Sequence, residues 1–97
     1  MLLNDIDEID IEILNENYDQ EILSKIDINN ANKIYKYLID NGIYFAKDIF
    51  LGMVDIFFVD YRIFVRKFDK LKLELGDNYI EQLERNPLLL EKIYTNN

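Results

Sequence analysis

The stretch DYRIFVRKFDKLKLELG, residues 60–76, decides the fold class. Its apolar residues recur at intervals of three and four, which places them on one side of an α-helix. They are Tyr61, Phe64, Val65, Phe68, Leu71 and Leu75. Asp60 can accept hydrogen bonds from the unpaired N–H groups at the start of such a helix, and Gly76 can end it. The sequence therefore predicts an amphipathic helix between these two residues.

A shorter stretch upstream has the same organisation. Its apolar positions, again at helical spacing, are Ile34, Tyr35, Leu38 and Ile39. Asn30 is positioned to cap the start, and Gly42 follows the end, where glycine adopts a left-handed conformation at little cost. Ile43 then stands where a Schellman ending places an apolar contact back to Leu38. We therefore expect a helix of about three turns here.

Shorter helical segments are expected around these two. One covers residues 45–53, one is capped by Asp77 or Asn78, and one starts at Asn86-Pro87 with proline in its first turn. Asn17 is a candidate N-cap for a further helix near the N-terminus.

The sequence as a whole predicts a compact all-α bundle of four to six helices, forming a single domain over residues 1–97. Residues 6–14 leave an alternative open, because their isoleucines fit the spacing of a strand and that of a helix equally well. We therefore expect an acidic N-terminal arm or a short strand before the helices.

The two long helices belong to an internal repeat. Gly42 and Gly76 are 34 residues apart, and each is followed by a short helical segment and an apolar segment. The apolar segments, residues 54–58 and 86–90, align at an offset of 32, so the two units differ by a two-residue gap. A long helix, a glycine, a short helix and an apolar stop form a period typical of stacked helical pairs.

This pattern resembles the helical repeats of the mitochondrial transcription termination factor family, in which a helix ending in Leu-Gly precedes a short helix and a Pro-x-Leu-Leu segment. The second unit carries the matching residues, which are Leu75, Gly76, Ile80, Leu83, Pro87, Leu89 and Leu90. The first unit departs from the pattern with Asn41-Gly42 and with Asp55 at the proline position. The resemblance covers residues 34–94 and implies stacked helical pairs. In that family many units build a basic concave surface for nucleic acid, and two units are too few for that arc.

Composition excludes several classes of site. The 97 residues include no Cys and no His, so disulfides, zinc–thiolate sites and Ser–His–Asp or Cys–His catalysis are ruled out. The carboxylates of residues 5–9 and 27–31 lack the ligand spacing of a calcium loop, so no metal site and no cofactor are expected. We expect no enzymatic activity. The acidic start argues against a signal peptide, and the short apolar runs argue against a membrane span. We therefore expect a cytoplasmic location.

The net charge of −8, from 19 acidic and 11 basic residues, is concentrated at the N-terminus. Residues 1–30 hold nine acids and one base, Lys25, whereas residues 31–97 hold equal numbers of both. The candidate partner-binding residues are Asp5, Asp7, Glu8, Asp10, Glu12, Glu16, Asp19 and Glu21. Such a segment either imitates nucleic acid in the basic groove of a partner or is a solvated face that keeps a small protein in solution.

A basic stripe lies on the predicted helix of residues 60–76. Arg62, Arg66 and Lys70 are spaced by four, and Lys67 lies beside them. These residues are candidates for contacts to a nucleic-acid backbone. The alternatives are the solvent face of an amphipathic helix, or a partner for the acidic segment within the molecule or in a second copy.

The leading functional hypothesis is a small non-enzymatic binding protein that occupies a basic surface of a protein partner. A nucleic-acid-handling enzyme is the natural counterpart, and phage inhibitors of host nucleases offer an analogy in size and charge. The first alternative is a nucleic-acid-binding helical repeat module. The second is a structural subunit or homodimer joined through exposed aromatics, for which the adjacent Phe57 and Phe58 are candidates, since a single element cannot bury both on one side.

Overall fold

The computed structural model of the chain describes residues 8–94, and the regular secondary structure of this part consists of helices, without a strand. The α-helices are α1 (Glu8–Asn17), α2 (Gln20–Leu23), α3 (Ile28–Asp40), α4 (Ala46–Gly52), α5 (Tyr61–Leu75), α6 (Tyr79–Arg85) and α7 (Glu91–Tyr94). A first 3₁₀ helix (Val54–Phe58) and a second (Pro87–Leu90) lie between them. The all-α prediction is confirmed, and five of the described α-helices have seven residues or more. From Glu8 onward the ambiguous N-terminal segment is a helix.

The internal repeat is visible in the order of elements. α3, α4 and the first 3₁₀ helix form one unit, and α5, α6 and the second 3₁₀ helix form the other. The capping residues Asp27 and Asp60 are 33 residues apart, and α4 and α6, each seven residues long, have the same spacing. The two 3₁₀ helices begin 33 residues apart and end 32 residues apart, so the predicted offset of 32 for the apolar segments applies at their ends. Gly42 and Gly76 are 34 apart because α5 is two residues longer than α3, whereas Asn41 separates α3 from Gly42 and Gly76 follows α5 directly.

Two predicted N-caps are wrong. α3 is capped by Asp27, whose carboxylate accepts a hydrogen bond from the backbone N–H of Asn30 at 3.1 Å, so Asn30 lies inside the first turn. Asn17 is the last residue of α1 rather than the start of the next helix. The prediction for Asp60 is confirmed, since its carboxylate accepts a hydrogen bond from the N–H of Arg62 at 2.9 Å.

The side chain of Asn30 does not cap α3 but forms hydrogen bonds with the backbone between the two units. Its amide group donates hydrogen bonds to the carbonyls of Phe57 and Val59 and accepts one from the N–H of Tyr61 at 2.8 Å. One half-buried side chain thus ties α3 to the end of the first 3₁₀ helix and to the start of α5.

The end of α3 has the predicted Schellman geometry. The N–H of Ile43 donates to the carbonyl of Leu38 at 2.9 Å, and the N–H of Gly42 donates to that of Ile39 at 3.0 Å. Gly42 has a φ of +86°, and a Cβ atom there would lie 2.7 Å from the Cδ1 atom of Ile80. Glycine is therefore required both by the backbone conformation and by the close approach of α6.

The core is one continuous cluster that joins both units and α1. On α5 the predicted stripe is confirmed, with Phe64 and Phe68 fully buried and their rings stacked at 5.7 Å. Of the adjacent aromatics, Phe57 is buried and Phe58 is exposed. Only Phe58 is therefore accessible for an interface.

The position of α1 separates the two charged regions. α1 packs against α4, and the hydroxyl of Tyr18 accepts a hydrogen bond from the N–H of Val54 at 3.3 Å. Leu14 is the buried residue that anchors this helix. α5 instead packs against α3, α6 and α7. Within residues 8–94, no helix combines the length and the apolar character that crossing a bilayer requires.

Candidate binding surfaces

The acidic surface consists of Glu12, Glu16, Asp19 and Glu21, four exposed carboxylates on α1 and α2. Glu12 and Glu16 are one turn apart on α1, so they lie on the same side of it. Asp19 is the N-cap residue of α2 and Glu21 lies in its first turn. Of the other predicted members, Glu8 and Asp10 belong to α1 by their backbone, and Asp5 and Asp7 lie outside the described residues.

None of the four carboxylates of the acidic surface forms an ion pair with a base of residues 8–94. Ion pairs on other helices include Lys36–Asp40, Arg62–Asp60, Lys72–Asp69, Arg85–Glu81 and Lys92–Glu74. Unpaired carboxylates on one side of a small molecule create a negative potential that extends into solvent. The acidic surface is therefore not neutralised by the described part of its own molecule.

The basic stripe lies on the outer side of α5. Arg62, Arg66 and Lys70 are exposed, and Lys67 is half-buried. The guanidinium of Arg62 lies 3.7 Å from the carboxylate of Asp60, a distance that indicates a weak pair on the surface. Arg66, Lys67 and Lys70 have no ion-pair partner among the described residues. The structure brings all four together, as predicted.

No ion pair joins the stripe to the acidic surface within the described chain. The acidic surface lies on α1 and α2, of which α1 packs against α4, and the stripe lies on α5, which packs against α3, α6 and α7. Asp69, which interrupts the stripe, is engaged elsewhere, because it accepts a hydrogen bond from the hydroxyl of Tyr37 and lies 3.6 Å from the ammonium of Lys72. The stripe is therefore not paired with the described acids of residues 12–21, and residues 1–7 of the acidic segment lie outside the described residues.

Sequence reasoning missed a groove at the junction of the two units. Its volume is about 390 Å³, and its walls come from the segment leading into α4, from α4 itself, and from α6 and the second 3₁₀ helix. The lining residues are Tyr44, Phe45, Asp48, Ile49, Gly52, Met53, Glu84 and Pro87. Residues 45, 48, 49 and 52 share one face of α4 by spacing, but only the fold shows that this face meets α6.

Two tyrosines of the first unit donate hydrogen bonds to carboxylates of the second. The hydroxyl of Tyr44 binds Glu84 at the rim of the groove, and this bond raises the pKa of Tyr44 above its usual value. Burial raises the pKa of Tyr37 further, and its bond to Asp69 adds to the effect. Both side chains are therefore neutral donors at physiological pH, which suits a role in holding the units together.

The carboxylates of the described chain do not assemble into a metal-binding cluster. Within residues 8–94 no group of three or more acidic side chains is close enough together to hold an ion. No protein-family model matches the chain, and neither the curated proteins nor the solved structures include a match. The physical features of the molecule are therefore the basis for any functional inference.

Proposed function

We propose that this chain is a non-enzymatic binding protein whose acidic surface occupies a basic surface of a protein partner. The observation that carries the proposal is the set of four exposed carboxylates, Glu12, Glu16, Asp19 and Glu21, without ion-pair partners among the described residues. Leu14 and Tyr18 hold α1 against α4 and the first 3₁₀ helix, so Glu12 and Glu16 sit on an anchored helix rather than on a free arm.

A nucleic-acid-handling enzyme is the partner that this charge pattern suits best. Glu12 and Glu16 are separated by one helical turn, about 6 Å along the axis, which gives a row of negative charges on a rigid support. An enzyme that binds nucleic acid carries a basic groove for a polyanion, and an acidic helix can compete for it. Binding of this kind is fast and weakens with salt, because long-range attraction is screened. The chain would then act as an inhibitor or regulator.

Charge reversal with a matched control tests the proposal. Wild-type protein, Glu12→Lys/Glu16→Lys and Asp55→Lys/Asp77→Lys are immobilised and exposed to a nuclease-treated lysate of the source cell. Both variants change the net charge equally, but Asp55 and Asp77 lie outside the acidic surface and are exposed. We expect one basic protein to bind the wild type and the control but not Glu12→Lys/Glu16→Lys. Equal capture by all three proteins would refute the acidic surface as the contact.

The unpaired bases of α5 favour a second candidate function, which is nucleic-acid binding through Arg62, Arg66, Lys67 and Lys70. Binding to a fluorescent oligonucleotide would then fall steeply with salt and be lost in Arg66→Glu/Lys70→Glu. The matched control is Lys25→Glu/Lys33→Glu, which changes two exposed lysines away from the stripe. Equal loss in both variants would indicate a response to net charge rather than to the stripe.

A further inference from the structure

The groove between the units combines apolar walls with two carboxylates. Phe45, Ile49 and Met53 line it from the first unit, and Pro87 closes it from the second. Asp48 and Glu84 contribute negative charge, and no Lys or Arg of the described chain lines it. An apolar hollow with acidic groups and no base of its own is complementary to a cation that has an apolar stem.

We propose that this groove receives an arginine side chain presented by a protein partner. The methylene groups of arginine would pack on Ile49, Met53 and Pro87, and the guanidinium would lie between Asp48 and Glu84. The site does not involve the acidic surface, so the proposal does not depend on what α1 and α2 bind.

The arrangement favours a guanidinium over an ammonium. The flat guanidinium group has five N–H donors, so it can serve two carboxylates at once and stack on an aromatic ring. Tyr44 and Phe45 provide rings at the groove, packed edge to face at 5.2 Å. One carboxylate is already oriented, because the hydroxyl of Tyr44 donates to Oε2 of Glu84 and leaves its other oxygen for the ligand. Asp48 is exposed and has no partner among the described residues.

The groove has a volume that suits one side chain, and the nearby Arg85 does not occupy it. Its volume of about 390 Å³ lies at the low end of the range for ligand sites, which suits a single side chain. Arg85 follows Glu84 in the sequence, but its guanidinium binds Glu81 at 2.7 Å and is not among the lining residues. No Lys or Arg of residues 8–94 therefore occupies the groove, and the proposal places the cation on a partner.

The test uses the full chain and small probes. N-acetyl-arginine methylamide is titrated into ¹⁵N-labelled protein, and amide shifts are followed by NMR. We expect saturable shifts at residues 44–53 and 84–88 with a Kd of about 1 mM, the affinity of a single anchored side chain. The citrulline derivative has the same shape without the charge and should bind at least about tenfold more weakly. Equal binding of the citrulline or the lysine derivative would overturn the assignment.

Three variants separate a real site from general attraction of cations to an acidic protein. Gly52→Leu fills the groove from its wall, and a Cβ at Gly52 meets no atom within 4 Å, so the fold is expected to persist. It should abolish the shifts. Asp48→Asn/Glu84→Gln should weaken binding about tenfold, and Asp55→Asn/Asp77→Asn, which removes two charges outside the groove, should leave it unchanged. Equal weakening in both double variants, or shifts spread over residues 12–21, would reduce the effect to net charge and overturn the proposal.

Discussion

The two units of this molecule have the same order of elements, but they differ in the contacts made at the start and the end of their long helices. Each begins after a capping aspartate and has a glycine with φ +86° after its long helix. In the first unit, Asn30 and Gly42 both contact the second unit or the junction before it. The positions that correspond to them in the second unit, Ile63 and Gly76, are exposed, and a Cβ at Gly76 would meet no atom within 4 Å.

This difference shows what a unit requires in order to stack. The features shared by both units define the local course of the chain, which is a capped helix, a turn and a shorter helix. The features found only in the first unit serve the contact with the next one. In the described residues the second unit is followed by α7 rather than by another unit, and it lacks those features.

The largest expected effect concerns the core that both units share. Phe68 is fully buried, stacked on Phe64 and in edge contact with Tyr37 and Tyr79. Phe68→Ala should lower the free energy of unfolding by about 3–5 kcal/mol, measured by urea denaturation. Phe58→Ala is the control, because its ring is exposed, and it should cost less than about 1 kcal/mol. A loss below about 1 kcal/mol for Phe68→Ala would mean that the core lies elsewhere.

The second unit was the easier one to predict because its information is local. The cap at Asp60, the stripe from Tyr61 to Leu75 and the stop at Gly76 all depend on residues within one helix, so spacing alone reveals them. Sequence spacing indicates only a local role for Asn30, as a cap, whereas its hydrogen-bond partners lie 27 to 31 residues away. Spacing also gives no sign of the groove, because its carboxylates Asp48 and Glu84 come from different units. Contacts between units have no short-range signal.

The junction between the units provides the next prediction. Asn30→Ala removes three hydrogen bonds to half-buried backbone groups and should destabilise the protein by about 2–3 kcal/mol. Asn29→Ala, at an exposed neighbouring position of the same helical turn, should change stability by less than about 0.5 kcal/mol. Hydrogen exchange at the N–H of Tyr61 provides a local readout and should accelerate only in Asn30→Ala. Equal effects of the two substitutions would mean that the Asn30 side chain does not hold the junction.

The two glycines should respond differently to the same substitution. Ala is strained at both, because of their positive φ, but only at Gly42 does it also collide with Ile80. The collision should add about 1 kcal/mol to the strain at Gly42, whereas the cost at Gly76, with φ 86° and ψ −164°, is backbone strain alone. A double-mutant cycle with Ile80→Ala isolates the collision, since removing that side chain should relieve Gly42→Ala and leave Gly76→Ala additive. Additivity at both glycines would show that α6 does not depend on close approach at Gly42.

The smallest expected effect lies in alkaline solution and concerns the two tyrosines that link the units. Hydrogen bonds to Asp69 and Glu84 accompany a raised pKa for Tyr37 and Tyr44, and the ion pair with Asp40 raises the pKa of Lys36. A group whose pKa is higher in the folded state stabilises the fold fully below its unfolded pKa, about 10 for tyrosine, and this contribution is lost as the pH rises through the folded value.

The free energy of unfolding should therefore decline above about pH 10, where the unfolded chain releases these protons first. Tyr37→Phe should flatten that decline more than Tyr44→Phe, because burial adds to the pKa shift of Tyr37 while the Tyr44 ring is exposed and its interaction with Glu84 is screened by water. Lys36→Met serves as the control, because it removes a titrating group whose ion-pair partner, Asp40, lies on the same helix. If Lys36→Met flattened the dependence of unfolding free energy on pH and Tyr37→Phe did not, the alkaline sensitivity would arise within α3. The opposite result would place it at the contact between the units, where α3 presents a hydroxyl to a carboxylate of α5.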